Sequence, residues 1–290
     1  MNLRKYLLLA MLPLVLGACK GEKAEPERPL YPTEGAVNAR FSVSENTTVV
    51  FAKGNLQYQA STDSWRFAPN QYEVVGQDNE RVSATNNGWI DLFGWGTSGF
   101  EQLMPYATTD SNLRYGVGEQ DIAGTGYDWG RQNAISNAGR QAGIWRTLTY
   151  KEWRYVVSLR EGASVKRAEA TLKNVDGQGA NAYGFLLLPD RWTLPEGCTF
   201  QYGCAEGFAT NVYTMGEWNR MEQAGAVFLP AGGCREGESV SLVGEYGCYW
   251  SASYYGIETA YELYFMSERY DLTPGARSQG HCVRLVKEVE

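Results

Sequence analysis

Two stretches of this sequence, Thr149-Tyr-Lys-Glu-Trp153 and Thr214-Met-Gly-Glu-Trp218, decide the predicted fold. Each places a threonine three residues before a glutamate. This is the spacing of a capping box, in which the two side chains accept hydrogen bonds from free backbone N–H groups at a helix start. The sequence therefore predicts two helices, one beginning after each threonine. Because a tryptophan at the start of an amphipathic helix usually packs in the core, both tryptophans are expected to be buried.

The residues after each tryptophan support this interpretation. The first helix carries apolar residues at the spacing of one helical face, namely Trp153, Val156 and Val157. Its basic residues are expected to remain in solvent: Lys151, Arg154 and Arg160. In the second helix, Trp218 and Met221 share one face, and Gly225 is predicted to end the helix because glycine readily adopts the left-handed conformation of a helix terminus.

Short strands are predicted on both sides of the helices, because apolar and β-branched residues alternate with polar ones there. Four runs follow the second helix: Ala226–Leu229, Cys248–Ala252, Ala260–Met266 and His281–Val286. Four runs precede the first helix and are predicted to form a β meander: Phe41–Glu45, Thr47–Phe51, Asn55–Tyr58 and Trp65–Phe67. With 33 Gly and 38 aromatic residues in 290, the pattern predicts a loop-rich α+β fold.

The N-terminal residues resemble a bacterial lipoprotein signal. Arg4 and Lys5 precede an apolar run that is too short to span a bilayer. That run ends in Leu16-Gly-Ala-Cys19, which is similar to the lipobox, where a signal peptidase cleaves before a cysteine that is then lipidated. Residues 1–18 are therefore predicted to be a signal peptide and Cys19 the lipidation site.

The predicted anchor defines the location expected for the protein. Acyl chains on Cys19 would hold an outer-membrane lipoprotein on its periplasmic side or at the cell surface. Residues 19–39 are predicted to be a flexible tether, because they are charged and contain little to bury. The net charge is −7, and the predicted cleavage removes two further positive charges. Nucleic acid is excluded as a partner, because binding it requires an excess of Lys and Arg to neutralise the phosphates.

Several ordered motifs carry a family resemblance. They are Trp145–Trp153, Leu186–Pro195, Ala226–Ala231, Tyr249–Ser253 and Val283–Val286, preceded by Phe51–Tyr58 and Gly88–Gly96. Together they resemble the FISUMP-type major paralogous domains of Bacteroidetes lipoproteins. On this basis, residues 40–130 are predicted to form an N-terminal β and loop region and residues 131–290 the FISUMP-type domain, with 40–290 as one compact unit being the alternative.

The resemblance implies a C-type-lectin-like scaffold related to the fold of formylglycine-generating enzymes. It does not fix an activity, because one fold can host many functions. Neither Glu-Pro-Asn, Gln-Pro-Asp nor Trp-Asn-Asp, the calcium-binding triplets of similar lectins, occurs in this sequence. No cofactor is therefore predicted, although calcium could still bind oxygen ligands brought together from separate loops.

Histidine and cysteine chemistry is sparse. His281 is the only histidine and is predicted to be structural, because its neighbour Cys282 would point to the opposite face of a strand. No metal site is predicted. The local spacing of Cys198 and Cys204 makes them the expected disulfide of an exported protein. Formylglycine-generating enzymes, which the resemblance brings in, use a closely spaced pair of reactive cysteines. Cys234 with Cys248 or Cys282 is a less favoured candidate for such a pair, because the spacing does not match.

A sugar site would combine exposed aromatic rings with polar side chains on loops. The residues that fit this description, and that are predicted to bind a ligand, are Trp95, Asp128, Trp129, Arg131, Tyr254 and Tyr255. The alternative is that these rings seal long loops onto the body of the domain.

The sequence therefore predicts a lipid-anchored, non-enzymatic binding or adhesion module whose ligand is a glycan or a surface protein. Two alternatives remain. The first is an enzyme on the same scaffold, either of formylglycine-generating type or glycan-processing. The second is a pilus-like assembly subunit, which would leave a terminal strand free for donation to a neighbour.

Overall fold

Both predicted helices begin at their threonines in the computed structural model, which describes residues 34–289. Helix α2 spans Tyr150–Arg154 and continues as a π-helix over Tyr155–Leu159, and helix α3 spans Met215–Gln223. Both capping boxes are complete, with each threonine hydroxyl accepting from the glutamate N–H and each glutamate accepting in return. The two tryptophans have no exposed surface, so this prediction is confirmed.

Two details of the helix prediction are wrong. Arg160 is 4% exposed instead of solvated, because its guanidinium donates to Asp190 Oδ1 at 3.0 Å and to Leu188 O at 2.7 Å. A third, short helix, α1, spans Trp129–Gln132, where only a loop was predicted. Gly225, by contrast, ends α3 as expected, with φ 98°. Single-turn 3-10 helices occupy several connections: Ala60–Thr62, Gly76–Glu80, Phe100–Gln102, Asn112–Arg114, Ala163–Val165 and Gly207–Ala209.

The strands of residues 34–289 form small sheets, so the class is α+β. A four-stranded sheet has the order β7 (Val212–Tyr213), β5 (Arg167–Leu172), β6 (Ala182–Leu187) and β8 (Val227–Pro230). A three-stranded sheet consists of β11 (Tyr246–Gly256), β12 (Thr259–Met266) and β13 (Arg269–Ala276). A second three-stranded sheet has the order β1 (Phe41–Ser42), β2 (Thr48–Phe51) and β14 (Val286–Val289). Two hairpins complete the set: β3 (Leu56–Gln59) with β4 (Ser64–Phe67), and β9 (Cys234–Glu236) with β10 (Ser239–Ser241).

The predicted strands are found, but their pairing differs at both ends of the chain. The four N-terminal strands are not a meander, because β1 and β2 pair with the C-terminal β14 while β3 and β4 form a separate hairpin. The predicted strand at His281–Val286 is displaced to Val286–Val289. His281 and Cys282 make only isolated bridges, to Phe93 and Tyr249 respectively.

The sheet of β11, β12 and β13 separates two parts of the core. Tyr249, Leu263 and Phe265 face one cluster, which also contains Trp153. Trp250, Ala252 and Ala260 face a second cluster rich in tryptophan. A third cluster packs α3 against the four-stranded sheet through Trp218, Met221 and Phe228. Since apolar residues cover both faces of β11 and β12, the polar residues within these strands are enclosed.

The folded unit begins earlier than predicted. Ala36 and Val37 are 5% and 4% exposed, and the Val37 N–H donates to Phe51 O at 2.8 Å. The tether therefore cannot extend to residue 39. Residues 34–289 belong to one compact unit, and both large core clusters draw residues from before and after position 130. The predicted signal peptide, the predicted lipidation site Cys19 and the predicted tether up to residue 33 lie outside the described residues.

Three buried arginines hold irregular segments together: Arg235, Arg277 and Arg284. The Arg284 guanidinium donates to Ala52 O at 3.1 Å, to Asn55 Oδ1 at 3.0 Å and to Phe228 O at 2.9 Å. A guanidinium presents five N–H donors in a fixed fork, so one side chain can satisfy carbonyl groups that loops leave unpaired. Across residues 34–289, no helix has the length and apolar character needed to cross a membrane.

Candidate functional site

The two tryptophans predicted to bind a ligand are buried, and this prediction is wrong. Trp95 and Trp129 are both 0% exposed. The Trp95 Nε1–H donates to Ser251 O at 2.8 Å, and the Trp129 Nε1–H donates to Thr97 O at 3.1 Å. A Cβ on Gly116 would lie 2.2 Å from the Trp95 ring, so glycine there lets a loop backbone pack directly on the ring. These rings seal loops onto the body of the domain.

Asp128 is also inaccessible, while Arg131 beside it is exposed. The Asp128 carboxylate accepts hydrogen bonds from Thr147, from the N–H at 3.0 Å and from the hydroxyl at 2.8 Å. Burial nevertheless raises the pKa of Asp128 to about 7, because removing the carboxylate from water outweighs these hydrogen bonds. Asp128 ties the start of α1 to the segment before α2, and it does not form a site with Arg131.

This buried carboxyl predicts a pH dependence of stability. The folded pKa of Asp128, about 7, lies above its ordinary 3.8, so the native state binds more protons in between and stability falls as pH rises through that window. Asp128→Asn removes this effect. The difference in unfolding free energy between the variant and wild type should shift in favour of the variant by on the order of 3 kcal/mol as the pH is raised from 4 to 8. Urea unfolding at both pH values measures this difference.

Asp176→Asn is the control, because the stability contribution of Asp176 stays nearly constant between pH 4 and pH 8. Asp176 is exposed, and backbone N–H groups of Gln178 and Ala180 hold its pKa below the ordinary value. Its contribution to stability is present at neutral pH and disappears as pH falls through that lowered pKa. An Asp128→Asn difference that does not change with pH would contradict the assignment.

Tyr254 and Tyr255 are exposed by 38% and 56%, as predicted. Tyr255 packs edge to face on Tyr261 at 5.1 Å, and Tyr261 stacks on Tyr150 at 4.0 Å. We call Tyr150, Tyr254, Tyr255 and Tyr261 the tyrosine surface. Asp121 orders it by accepting from the Tyr254 N–H at 3.0 Å. The two predicted tyrosines are therefore exposed, whereas Trp95, Asp128 and Trp129 are buried.

A concave site lies elsewhere. A cleft of about 550 Å³ opens beside β6 and β8. Two tyrosines and four polar residues contribute to its lining: Asn70, Tyr72, Glu73, Asp176, Asn181 and Tyr183. We call it the Tyr72–Tyr183 cleft. A volume of a few hundred Å³ with aromatic rings and a few convergent polar groups is typical of a small-ligand or sugar site.

The loop on one side of the cleft is ordered by its own side chains. Asp176 Oδ1 accepts from the N–H groups of Gln178 and Ala180, at 2.8 and 3.0 Å. Asn181 Oδ1 accepts from the Asn174 N–H at 3.1 Å. These hydrogen bonds fix the loop between β5 and β6 before any ligand arrives. A preformed wall lowers the entropy lost on binding.

The predicted disulfide between Cys198 and Cys204 is wrong, because both thiols are free. The Cys198 thiol packs against the α3 cluster and lies 3.6 Å from Glu217 O. Burial raises the pKa of the Cys204, Cys234, Cys248 and Cys282 thiols, which keeps them protonated. This environment is the opposite of that of a reactive thiolate.

The sequence pattern predicted neither the cleft nor a second group of chemically capable residues. Cys248, Glu262 and His281 are 0%, 2% and 1% exposed, and their ligand-type atoms lie within 4.8 Å of one another. The Cys248 thiol donates to Glu262 Oε1 at 3.4 Å, and His281 Nδ1 lies 2.6 Å from Glu262 Oε2. His281 thus meets Cys248 and not its neighbour Cys282, whose side chain joins the first core cluster. We call these three residues the Cys–Glu–His cluster.

Comparison with known proteins gives no relative from which a role could be transferred. No family model, no curated protein and no solved structure matches this chain.

Proposed function

We propose that the protein is a lipid-anchored envelope protein whose folded unit binds a glycan, without catalysis, in the Tyr72–Tyr183 cleft. The observation that carries this proposal is the composition of the cleft: two half-buried tyrosines beside two carboxylates and two amides. Sugars present apolar faces that stack on aromatic rings and hydroxyl groups that need polar partners. Anchoring through Cys19 and a C-type-lectin-like scaffold are part of the same proposal, on the strength of the sequence motifs.

The ionisation of the cleft and of the thiols supports binding over catalysis. A glycan hydrolase needs a general acid with a raised pKa, whereas the backbone N–H groups around Asp176 lower the pKa of that carboxyl. Asp91, Asp128 and Glu169 are the carboxyls of the described residues whose pKa is raised, and each is buried and accepts a hydrogen bond from a protein group. A formylglycine-type oxidase would need reactive thiols, whereas burial raises the pKa of the Cys204, Cys234, Cys248 and Cys282 thiols.

The assembly-subunit alternative receives less support. Residues Val286–Val289 pair antiparallel with Thr48–Phe51, so the last described strand is used within the chain. Strand donation would need this strand to be released.

A glycan array probed with the full chain in detergent tests the proposal. We expect binding to a subset of microbial or mucin oligosaccharides, followed by titration with the oligosaccharide that gives the strongest signal. Tyr183→Ala should weaken that binding roughly tenfold, because stacking on one ring contributes about 1–1.5 kcal/mol. Tyr183→Phe keeps the ring and should bind within a few-fold of wild type.

Tyr255→Ala is the matched control, since it removes a tyrosine that lies outside the cleft. Circular dichroism and thermal unfolding would check that each variant is folded. An array without any bound glycan, or equal affinity of Tyr183→Ala and wild type, would refute the cleft as a glycan site.

A protein ligand is the second candidate. It is favoured by the tyrosine surface, where Tyr255 and the neighbouring Ile257 are 56% and 52% exposed. Tyrosine is enriched at protein interfaces because its ring is apolar and its hydroxyl can pair with polar groups. Binding of a surface protein that is lost in Tyr255→Ala and kept in Tyr183→Ala would favour this candidate.

A further inference from the structure

The Cys–Glu–His cluster is assembled from three separate segments. Cys248 lies on β11 and Glu262 on β12. The register pairs Cys248 with Tyr264 and Trp250 with Glu262, so Cys248 and Glu262 are diagonal neighbours on one face. His281 comes from the segment after β13, which is fixed by mutual backbone hydrogen bonds with Phe93 at 2.9 and 3.0 Å. The Trp250 ring covers the imidazole at 4.5 Å between ring centroids.

The polar atoms of the cluster are poorly satisfied. His281 Nδ1 and Glu262 Oε2 are close but not aligned for a hydrogen bond, and among the described residues His281 Nε2 has no hydrogen-bond partner either. Buried polar groups are nearly always paired, so three such atoms in one place require an explanation. Gly275 makes room for the carboxylate, because a Cβ there would lie 2.4 Å from Glu262 Oε2.

The donor set fits a specific class of ion. Thiolate sulfur, imidazole nitrogen and carboxylate oxygen are the three ligand types of Zn²⁺ in proteins, whereas Ca²⁺ takes oxygen ligands. The 3.4 Å between Cys248 Sγ and Glu262 Oε1 suits two ligands of one tetrahedral ion with bonds of about 2.3 and 2.0 Å. A thiolate, a carboxylate and a neutral imidazole together balance the charge of one Zn²⁺, which removes the cost of an isolated buried charge.

A catalytic nucleophile does not explain the arrangement as well. In a Cys–His nucleophile pair, the imidazole accepts the thiol proton and a third group orients the imidazole. Here the carboxylate lies between the thiol and the imidazole, and the thiol donates to the carboxylate. All three side chains are also enclosed.

We propose that Cys248, Glu262 and His281 form a structural binding site for one zinc-class transition metal ion. The ion links β11, β12 and the segment after β13 from inside the core. Three protein ligands leave one tetrahedral position, which a water molecule fills. The site is separate from the Tyr72–Tyr183 cleft, so its test does not depend on glycan binding.

Metal content of the full chain tests the proposal directly. Because the site is enclosed, the protein would be unfolded with a chelator in guanidinium and refolded with Zn²⁺ or Co²⁺. We expect one metal ion per chain by inductively coupled plasma mass spectrometry, and a thiolate-to-cobalt charge-transfer band in the Co²⁺ protein. Refolded wild type that is folded by circular dichroism but holds no stoichiometric metal would overturn the proposal.

Variants identify the ligands. Cys248→Ser and His281→Gln should lose stoichiometric metal, and Cys248→Ser should lose the charge-transfer band. Cys282→Ser is the matched control, because Cys282 is equally buried and adjacent to His281 but packs in the other core cluster. Metal retained in Cys248→Ser, or a band lost only in Cys282→Ser, would contradict the assignment. If a variant does not fold, the metal stoichiometry of wild type and the charge-transfer band of its Co²⁺ form still test the proposal.

Discussion

Arg284→Met should destabilise the folded unit by roughly 3–5 kcal/mol, one of the two largest effects we expect. The guanidinium is 1% exposed and donates to carbonyl or amide oxygens of Ala52, Asn55, Gln71 and Phe228. Methionine fills much of the same volume but supplies no donor, so several buried acceptors would lose their partner. Each buried acceptor left unsatisfied costs about 1–3 kcal/mol.

Two further variants isolate the cause. Arg284→Lys keeps the positive charge but has three donors on a flexible stem, so it should recover only part of the lost stability. Arg154→Met changes an exposed arginine of α2 and should stay within about 0.5 kcal/mol of wild type. Urea unfolding measures all three. If Arg284→Met lost as little unfolding free energy as Arg154→Met, the hydrogen bonds of Arg284 would not be needed for the stability of the fold.

Cys19→Ser should move almost all of the protein out of the lipidated membrane fraction. The proposed acylation needs the Cys19 thiol, and the apolar run before it is too short to span a bilayer as an anchor. We expect the variant to appear in the soluble fraction or as an uncleaved precursor, without incorporated labelled fatty acid. Detergent partitioning and a shift in mass measure the outcome.

Cys204→Ser is the control, because it removes a thiol that is free and partly exposed in the folded unit. That variant should remain lipidated and partition with the membrane. Equal partitioning of Cys19→Ser and wild type into detergent would refute the lipoprotein proposal.

Local signals in the sequence were sufficient for the helices. A capping box depends on residues three positions apart, so Thr149 and Thr214 could be recognised without knowledge of the rest of the chain. Burial of Trp153 and Trp218 followed from the stripe on each helix. Arg160 was misplaced because its partner, Asp190, lies 30 residues further along the chain, where periodicity carries no information.

Strands β5, β6 and β7 of the four-stranded sheet, and β13 of the three-stranded sheet, escaped prediction for related reasons. Strand β5 carries Glu169, which is buried although its side chain is acidic. It accepts a hydrogen bond from the Glu268 N–H of the β12–β13 turn, 99 residues away, at 2.9 Å. Strand β13 contains Pro274 and Gly275, which normally argue against a strand. Proline is tolerated there because β13 lies at the edge of its sheet.

None of the residues that line the Tyr72–Tyr183 cleft was predicted to bind a ligand, and of the four predicted rings only those of Tyr254 and Tyr255 are exposed, because exposure depends on tertiary contacts. The mixture of aromatic and polar residues selected Trp95, Asp128 and Trp129, whose partners are distant in sequence. The Cys–Glu–His cluster did leave a signal. Glu262 lies within the predicted strand Ala260–Met266, and both faces of β12 are covered by core residues, so its carboxylate is enclosed.

The pairing of β14 with β2 has a consequence for the order in which this chain can fold. Val286 lies opposite Phe51, and Arg284 bonds to Ala52 and Asn55, so residues at the end of the chain complete the packing of its beginning. Contacts of such large sequence separation form slowly, because a long loop must close first. Under the proposed export route, the folded unit would form only after β14 has left the translocation channel, so the preceding residues stay unfolded during transport.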